Sequence, residues 1–213
     1  VPEIADEADL MALALGDPAR LALVLVDMQN DFLSPGGAYA RGGMAGVGME
    51  GLAERLRPVA DAVRDAGGWV VSTHFTLVPG RGGAPLISPH LKAVRPFLGA
   101  GDFVPGTWGH ALVDPLWSDI QVEKVAHSAF YMSRLELVLR RAGIETLIFS
   151  GIVTNGGVAQ TMSDAHVRDF RLFLLRDGCA AFTAAVHEAA VTMLGASATV
   201  TDCASVVAAL GRA

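Results

Sequence analysis

Six consecutive apolar residues, Leu21-Ala22-Leu23-Val24-Leu25-Val26, stop abruptly at Asp27. A strand with one wet face alternates apolar and polar residues, whereas a strand covered on both faces reads as an unbroken apolar run. The run therefore predicts a central strand of a parallel sheet with helices on either side. Met49 to Ala66 offers one such helix, with Leu52, Leu56, Val59 and Val63 on one stripe and Gly67-Gly68 as its stop. Further strands are expected at 69–73, 121–123, 146–150, 171–175 and 198–200. Further helices are expected at about 133–142, 155–169, 184–194 and 204–210. This alternation predicts one α/β domain over 21–213. An N-terminal arm, 1–20, precedes it, and its apolar stretch Leu10 to Leu15 either packs on a neighbouring subunit or forms a short helix over its own domain. Residues 75–120 are proline-rich and carry no strong period. They read as a long irregular excursion with short helical pieces, and loops of that length are usually functional.

Composition narrows the function classes. A net charge of −6 argues against nucleic acid, which needs a basic surface. No apolar run approaches the roughly 20 residues needed to span a bilayer, and the acidic first segment lacks the features of a signal peptide. Two cysteines, Cys179 and Cys203, make no disulfide framework and no zinc spacing, so a reducing cytoplasm fits best. A hydrophobic content of 52% suggests that some apolar surface is buried between subunits.

In an open parallel sheet, ligands bind beyond the carboxyl ends of the strands. The chemistry-bearing residues expected there are Asp27, His74, Lys124, the turn Gly151 to Gly157, and Asp177 to Cys179. Each has a plain structural reading: Asp27 as a turn cap, Lys124 as a solvated lysine, the turn as close helix–strand packing. Paired on one sheet edge, however, a desolvated Asp and a Lys poise a proton for transfer. The amides of the Gly-rich turn, at a helix N-terminus, suit an anion. The turn has neither the dinucleotide glycine pattern nor a phosphate-loop lysine.

Three segments combine these residues: Val26-Asp27-Met28-Gln29-Asn30-Asp31-Phe32, Glu123-Lys124-Val125-Ala126-His127-Ser128-Ala129-Phe130, and Ser150-Gly151-Ile152-Val153-Thr154-Asn155-Gly156-Gly157-Val158. In this order and spacing they resemble the isochorismatase-like hydrolase superfamily, over about Leu21 to Leu210. The resemblance implies a three-layer α/β/α sandwich with a mostly parallel six-stranded sheet, and a homo-oligomer (dimer or tetramer) acting on a small-molecule substrate. It places Asp27 and Lys124 at the catalytic aspartate and lysine positions. It also implies a non-proline cis peptide in the turn, expected here at Val153–Thr154.

Gly157 stands where the amidases of that family carry a nucleophilic cysteine, and neither Gly156 nor Val158 can replace a thiol. Cys179 and Cys203 are expected to be structural. The metal-dependent branch carries Asp and further His residues after the second strand. Here only His74 is present, short of the about three protein ligands a catalytic zinc needs, so no metal and no cofactor are expected. Phe32, His74, Trp108, Val153, Thr154, Gly156 and Gly157 are the expected binding residues. His90, His110 and His127 are expected to be structural rather than catalytic.

Isochorismatases proper also carry Gly at this position, and the resemblance to them implies acid-catalysed vinyl ether hydrolysis of a small carboxylated molecule. The segment Ser34-Pro35-Gly36-Gly37 after the first motif looks more like the amidase branch. Two alternatives follow: an amidase-type hydrolase using activated water, or an engineered Cys-to-Gly variant of one, and a non-catalytic ligand-binding relative.

Overall fold

The computed structural model describes residues 7–44, 46 and 48–211. Residues 1–6 of the expected arm lie outside it. Six strands, β1 (Leu21–Val26), β2 (Trp69–Phe75), β3 (Ile120–Lys124), β4 (Thr146–Ile152), β5 (Arg171–Ala180) and β6 (Thr199–Thr201), form one sheet in the order β3-β2-β1-β4-β5-β6. Every pairing is parallel. The helices are α1 (Glu7–Leu15), α2 (Asn30–Leu33), α3 (Ala38–Arg41), α4 (Leu52–Asp65), α5 (Pro89–Val94), α6 (Leu135–Arg141), α7 (Ala159–His166), α8 (Ala184–Leu194) and α9 (Cys203–Leu210). None of the described helices is long and apolar enough to cross a membrane.

The burial of β1 explains its sequence. Leu21, Leu23 and Leu25 face one core with α4 and α9, while Ala22, Val24 and Val26 face the other with α6 and α7. Both faces are dry, so no polar alternation survives. Helix α1 packs on α9. Thr146 Oγ1 and Arg171 Nη1 donate to its last carbonyls, Leu15 O at 3.1 Å and Ala14 O at 3.0 Å. The Leu10 to Leu15 stretch is thus helical and lies against its own chain, with Leu10 and Leu13 left exposed.

Three expectations need correction. β5 runs to Ala180 rather than ending near Leu175, because a register shift beside Gly151 lets Cys179 and Ala180 pair with Gly151 and Ile152. Asp177 to Cys179 therefore lie within a strand and not beyond one. The helix expected from Asn155 opens as a π-helical turn, Thr154–Val158, before α7. The non-proline cis bond is Ile152–Val153, one bond earlier than expected.

A third cluster, Ala38, Tyr39, Leu77, Leu98 and Phe103, joined by Phe32, Phe75, Phe97 and Phe182, roofs the carboxyl ends of the strands. The chain runs outward from β1 to β3, then returns to the opposite side at β4. The ends of β1 and β4 thus border the topological switch point, where open parallel sheets place their ligands.

Candidate active site

Asp27 leaves β1 with φ 55°, in the left-handed region, where an L-residue is uncommon and Asp better tolerated than most. Its Oδ2 meets Lys124 Nζ at 2.7 Å, across the end of β2. Thr73 Oγ1, from the intervening strand, lies 3.4 Å from Oδ1. Lys124 also donates to Ala126 O at 3.0 Å and His127 O at 3.2 Å. An ammonium has three donors, and here each has an acceptor. The lysine is therefore a fixed charge beside Asp27 rather than a loose one. Both side chains are almost fully buried. Burial pushes the Asp27 carboxyl above its usual range, against the Lys124 ammonium, which pulls it down.

These two residues open into a cavity of about 330 Å³, also lined by Phe32, Tyr39, Phe75, Arg95, His127, Val153, Gly157 and Phe182. A Cβ on Gly157 would lie 3.0 Å from Asp27 Oδ2 and 3.1 Å from Ile152 O. Gly157 therefore sits close against the carboxylate on the cavity wall, where even a Cβ would press on its neighbours.

Of the residues expected at the site, Asp27, Lys124, Phe32, Val153 and Gly157 line this cavity. The others do not. Thr154 is buried with its hydroxyl 2.8 Å from His187 Nδ1. Gly156 packs at Val153, and its N–H donates to Val153 O at 2.9 Å, so that amide is spent inside the turn. Trp108 is 58% exposed, and its carbonyl accepts from Asn30 Nδ2 at 2.9 Å. His90 lies on the cavity wall and His110 away from it. Cys179 and Cys203 are buried, and burial pushes both thiols well up.

His74 faces away from Asp27, because alternation along β2 sends Thr73 to the carboxylate and His74 to the other side. Its Nδ1–H donates to His110 O at 2.9 Å, and Nε2 takes the Ser72 hydroxyl at 2.8 Å. His110 Nε2 meets Thr76 Oγ1 at 2.9 Å, and the two rings lie 5.1 Å apart. Burial pushes both imidazoles down, His110 to about 4. The fold thus refuses protons that the unfolded chain accepts below about 6.5. Stability present above that pH is lost as pH falls toward 4, by about 2 kcal/mol. Urea midpoints measured between pH 7 and 4.5 should show this slope, and His110→Gln should flatten it.

Much of the first motif serves as an anchor. Gln29 donates to Phe75 O and His110 O, and Phe75 N–H donates back to Gln29 Oε1 at 2.7 Å. Asp31 accepts from Ala38 N at 3.0 Å and Phe103 N at 2.7 Å. These buried groups tie the excursion down over the strand ends. Tyr39, Arg95 and Phe182 are cavity residues that sequence reasoning missed, and none stands in a periodic segment or motif that marks it.

The isochorismatase domain model matches residues 21–205. A ureidoacrylate amidohydrolase, RutB, from Caulobacter vibrioides is 33% identical over 175 residues, covering 76% of this chain and 77% of the relative. A cysteine hydrolase structure from Pseudomonas syringae pv. phaseolicola 1448A superposes with TM-score 0.79 at 23% identity, covering 93% of this chain and 95% of that one, a likeness of fold. The N-carbamoylsarcosine amidase of Thermoplasma acidophilum superposes with TM-score 0.64 at 26% identity, over 86% of this chain and 96% of that one.

Proposed function

The chain belongs to the isochorismatase domain family, and from that premise we propose that it hydrolyses a small carboxylate-bearing molecule with Asp27, Lys124 and water, without a protein nucleophile. The observation that carries the reading is the buried Asp27–Lys124 pair, 2.7 Å apart, on a cavity wall that includes Gly157 and neither cysteine. The raised carboxyl of Asp27 suits a proton donor, since a useful acid must hold its proton near working pH. On a vinyl ether, Asp27 protonates the alkene carbon. Water then adds to the oxocarbenium carbon and returns a proton to Asp27, and the hemiketal releases alcohol and ketone. Lys124 stabilises the carboxylate in the interval.

A second reading is favoured by the relatives whose name is ureidoacrylate amidohydrolase. The same groups would then cleave a C–N bond. Water gives its proton to Asp27 as it adds to the carbonyl carbon, and that proton passes to the departing nitrogen.

A panel of carboxylated vinyl ethers, ureido acids and amides, followed by chromatography, separates the two bond types. Turnover should survive iodoacetamide, because no thiol faces the cavity. Gly157→Val, whose Cβ would press on Asp27 Oδ2 and Ile152 O and displace the carboxylate, should lower kcat/KM by about 100-fold or more. Inactivation by alkylation, or a Gly157→Val enzyme of full activity, overturns the reading.

A further inference from the structure

Arg95 caps the C-terminus of α5, with its backbone N–H on Leu91 O. Its half-buried side chain lines the same cavity as Asp27. Nε donates to the Tyr39 hydroxyl oxygen at 3.2 Å, and Nη1 donates to Val94 O at 2.8 Å. The guanidinium carbon stands 5.8 Å and 5.6 Å from the ring centroids of Tyr39 and Phe182, which stack at an interplanar angle of 6°. The ion pairs among the described residues bring no carboxylate to Arg95. Its Nη2 and the phenolic hydrogen of Tyr39 have no hydrogen-bond partner among the described residues.

The charges of the cavity wall are therefore unbalanced. Lys124 is matched by Asp27, and Arg95 by no carboxylate among the described residues. Burial raises the Tyr39 phenol, and the charges of Arg95 and Asp27 act on it in opposite senses, so its hydroxyl lies within reach of both fields. Arg95 and Lys124 also help to hold His127 down, after burial. A half-buried guanidinium held by Tyr39 and Val94, with Nη2 donors left over among the described residues, is suited to a planar anion.

We propose that Arg95 and the Tyr39 hydroxyl form a carboxylate-binding subsite, which holds one end of the substrate while Asp27 and Lys124 meet the bond to be cleaved. Arg95 Nη2 and the Tyr39 O–H each donate to the carboxylate. The aromatic floor of Phe32, Tyr39 and Phe182 covers the apolar stem between the two ends. Arg95 is a binding residue, and its assignment rests on the hydrolase reading above only for the role of the second end of the cavity.

Binding and turnover test the two separately. The probes are 3-ureidoacrylate and its uncharged primary amide, titrated by calorimetry into wild type, Arg95→Met, Arg95→Lys and Tyr39→Phe. Wild type should prefer the carboxylate. Arg95→Met should weaken the carboxylate by about 30-fold or more while leaving the amide unchanged, and Tyr39→Phe should cost about 5-fold. Arg95→Lys should recover part of the loss, because charge returns without the fork. A wild type without preference for the carboxylate overturns the subsite. So does an Arg95→Met protein that weakens both probes equally, which is the mark of a merely structural side chain. Loss of the hydrolase reading would look different: carboxylate preference dependent on Arg95, with no turnover that Asp27→Asn abolishes.

Discussion

Asp27→Asn should lower kcat by about 1,000-fold, the range that positioned acid–base groups supply. The amide keeps the shape of the side chain but neither takes nor gives the proton. Stability offers an independent reading of the same pair. Lys124→Met leaves the Asp27 carboxyl without the cation 2.7 Å away, and Asp27→Asn leaves the ammonium with two carbonyls only. Each single change should cost about 3 kcal/mol, because breaking a buried pair strands one charge. The double variant should be more stable than either single one, since it strands none. Urea unfolding of the four proteins measures this, and additive losses would mean that the two groups do not interact.

The pH dependence follows the same carboxyl. Its folded pKa lies above its ordinary 3.8, so the folded chain holds the proton more tightly than the unfolded one. Stability from this group is present below 3.8 and lost as pH rises through the raised value. An enzyme that uses Asp27 as an acid loses kcat over that same rise.

Gly151→Ala should unfold the domain or cost more than about 4 kcal/mol, at the extreme of single substitutions. Gly151 holds φ 105°, and a Cβ there would sit 2.1 Å from Val26 O and 2.8 Å from Val26 N. These are backbone atoms of the neighbouring strand and cannot turn aside. Gly143 is the control. Its φ of 72° is also left-handed, yet a Cβ there meets nothing within 4 Å. Gly143→Ala should therefore cost only about 1–2 kcal/mol, the local strain alone. Equal losses at the two positions in thermal or urea unfolding would show that the close approach of β1 and β4 is not the cause. Gly151 closes the switch point at which Asp27 and the turn after β4 meet, so the loss should fall on fold and site together.

Residue type and period along the chain were enough to place the strands of the sheet, the helices α4 and α6 to α9 to within their ends, and the strand ends at Asp27 and Lys124. Which faces of a strand are dry is written in its own residues, as in β1, where alternate side chains enter opposite cores. The motif resemblance added Phe32, Val153 and Gly157, all of which line the cavity. His74 was misplaced because a strand end carries two sides, and only the register of β2 on β1 and β3 decides which residue meets the carboxylate. Tyr39, Arg95 and Phe182 come from three separate segments without period. They meet through contacts distant in sequence, such as Arg95 on Tyr39, and no local pattern encodes those. The sequence alone determined the sheet and the Asp27–Lys124 pair. Tertiary structure alone decided the opposite wall of the cavity, because the excursion is placed by hydrogen bonds that Gln29 and Asn30 donate to it and Asp31 accepts from it, rather than by any propensity of its own.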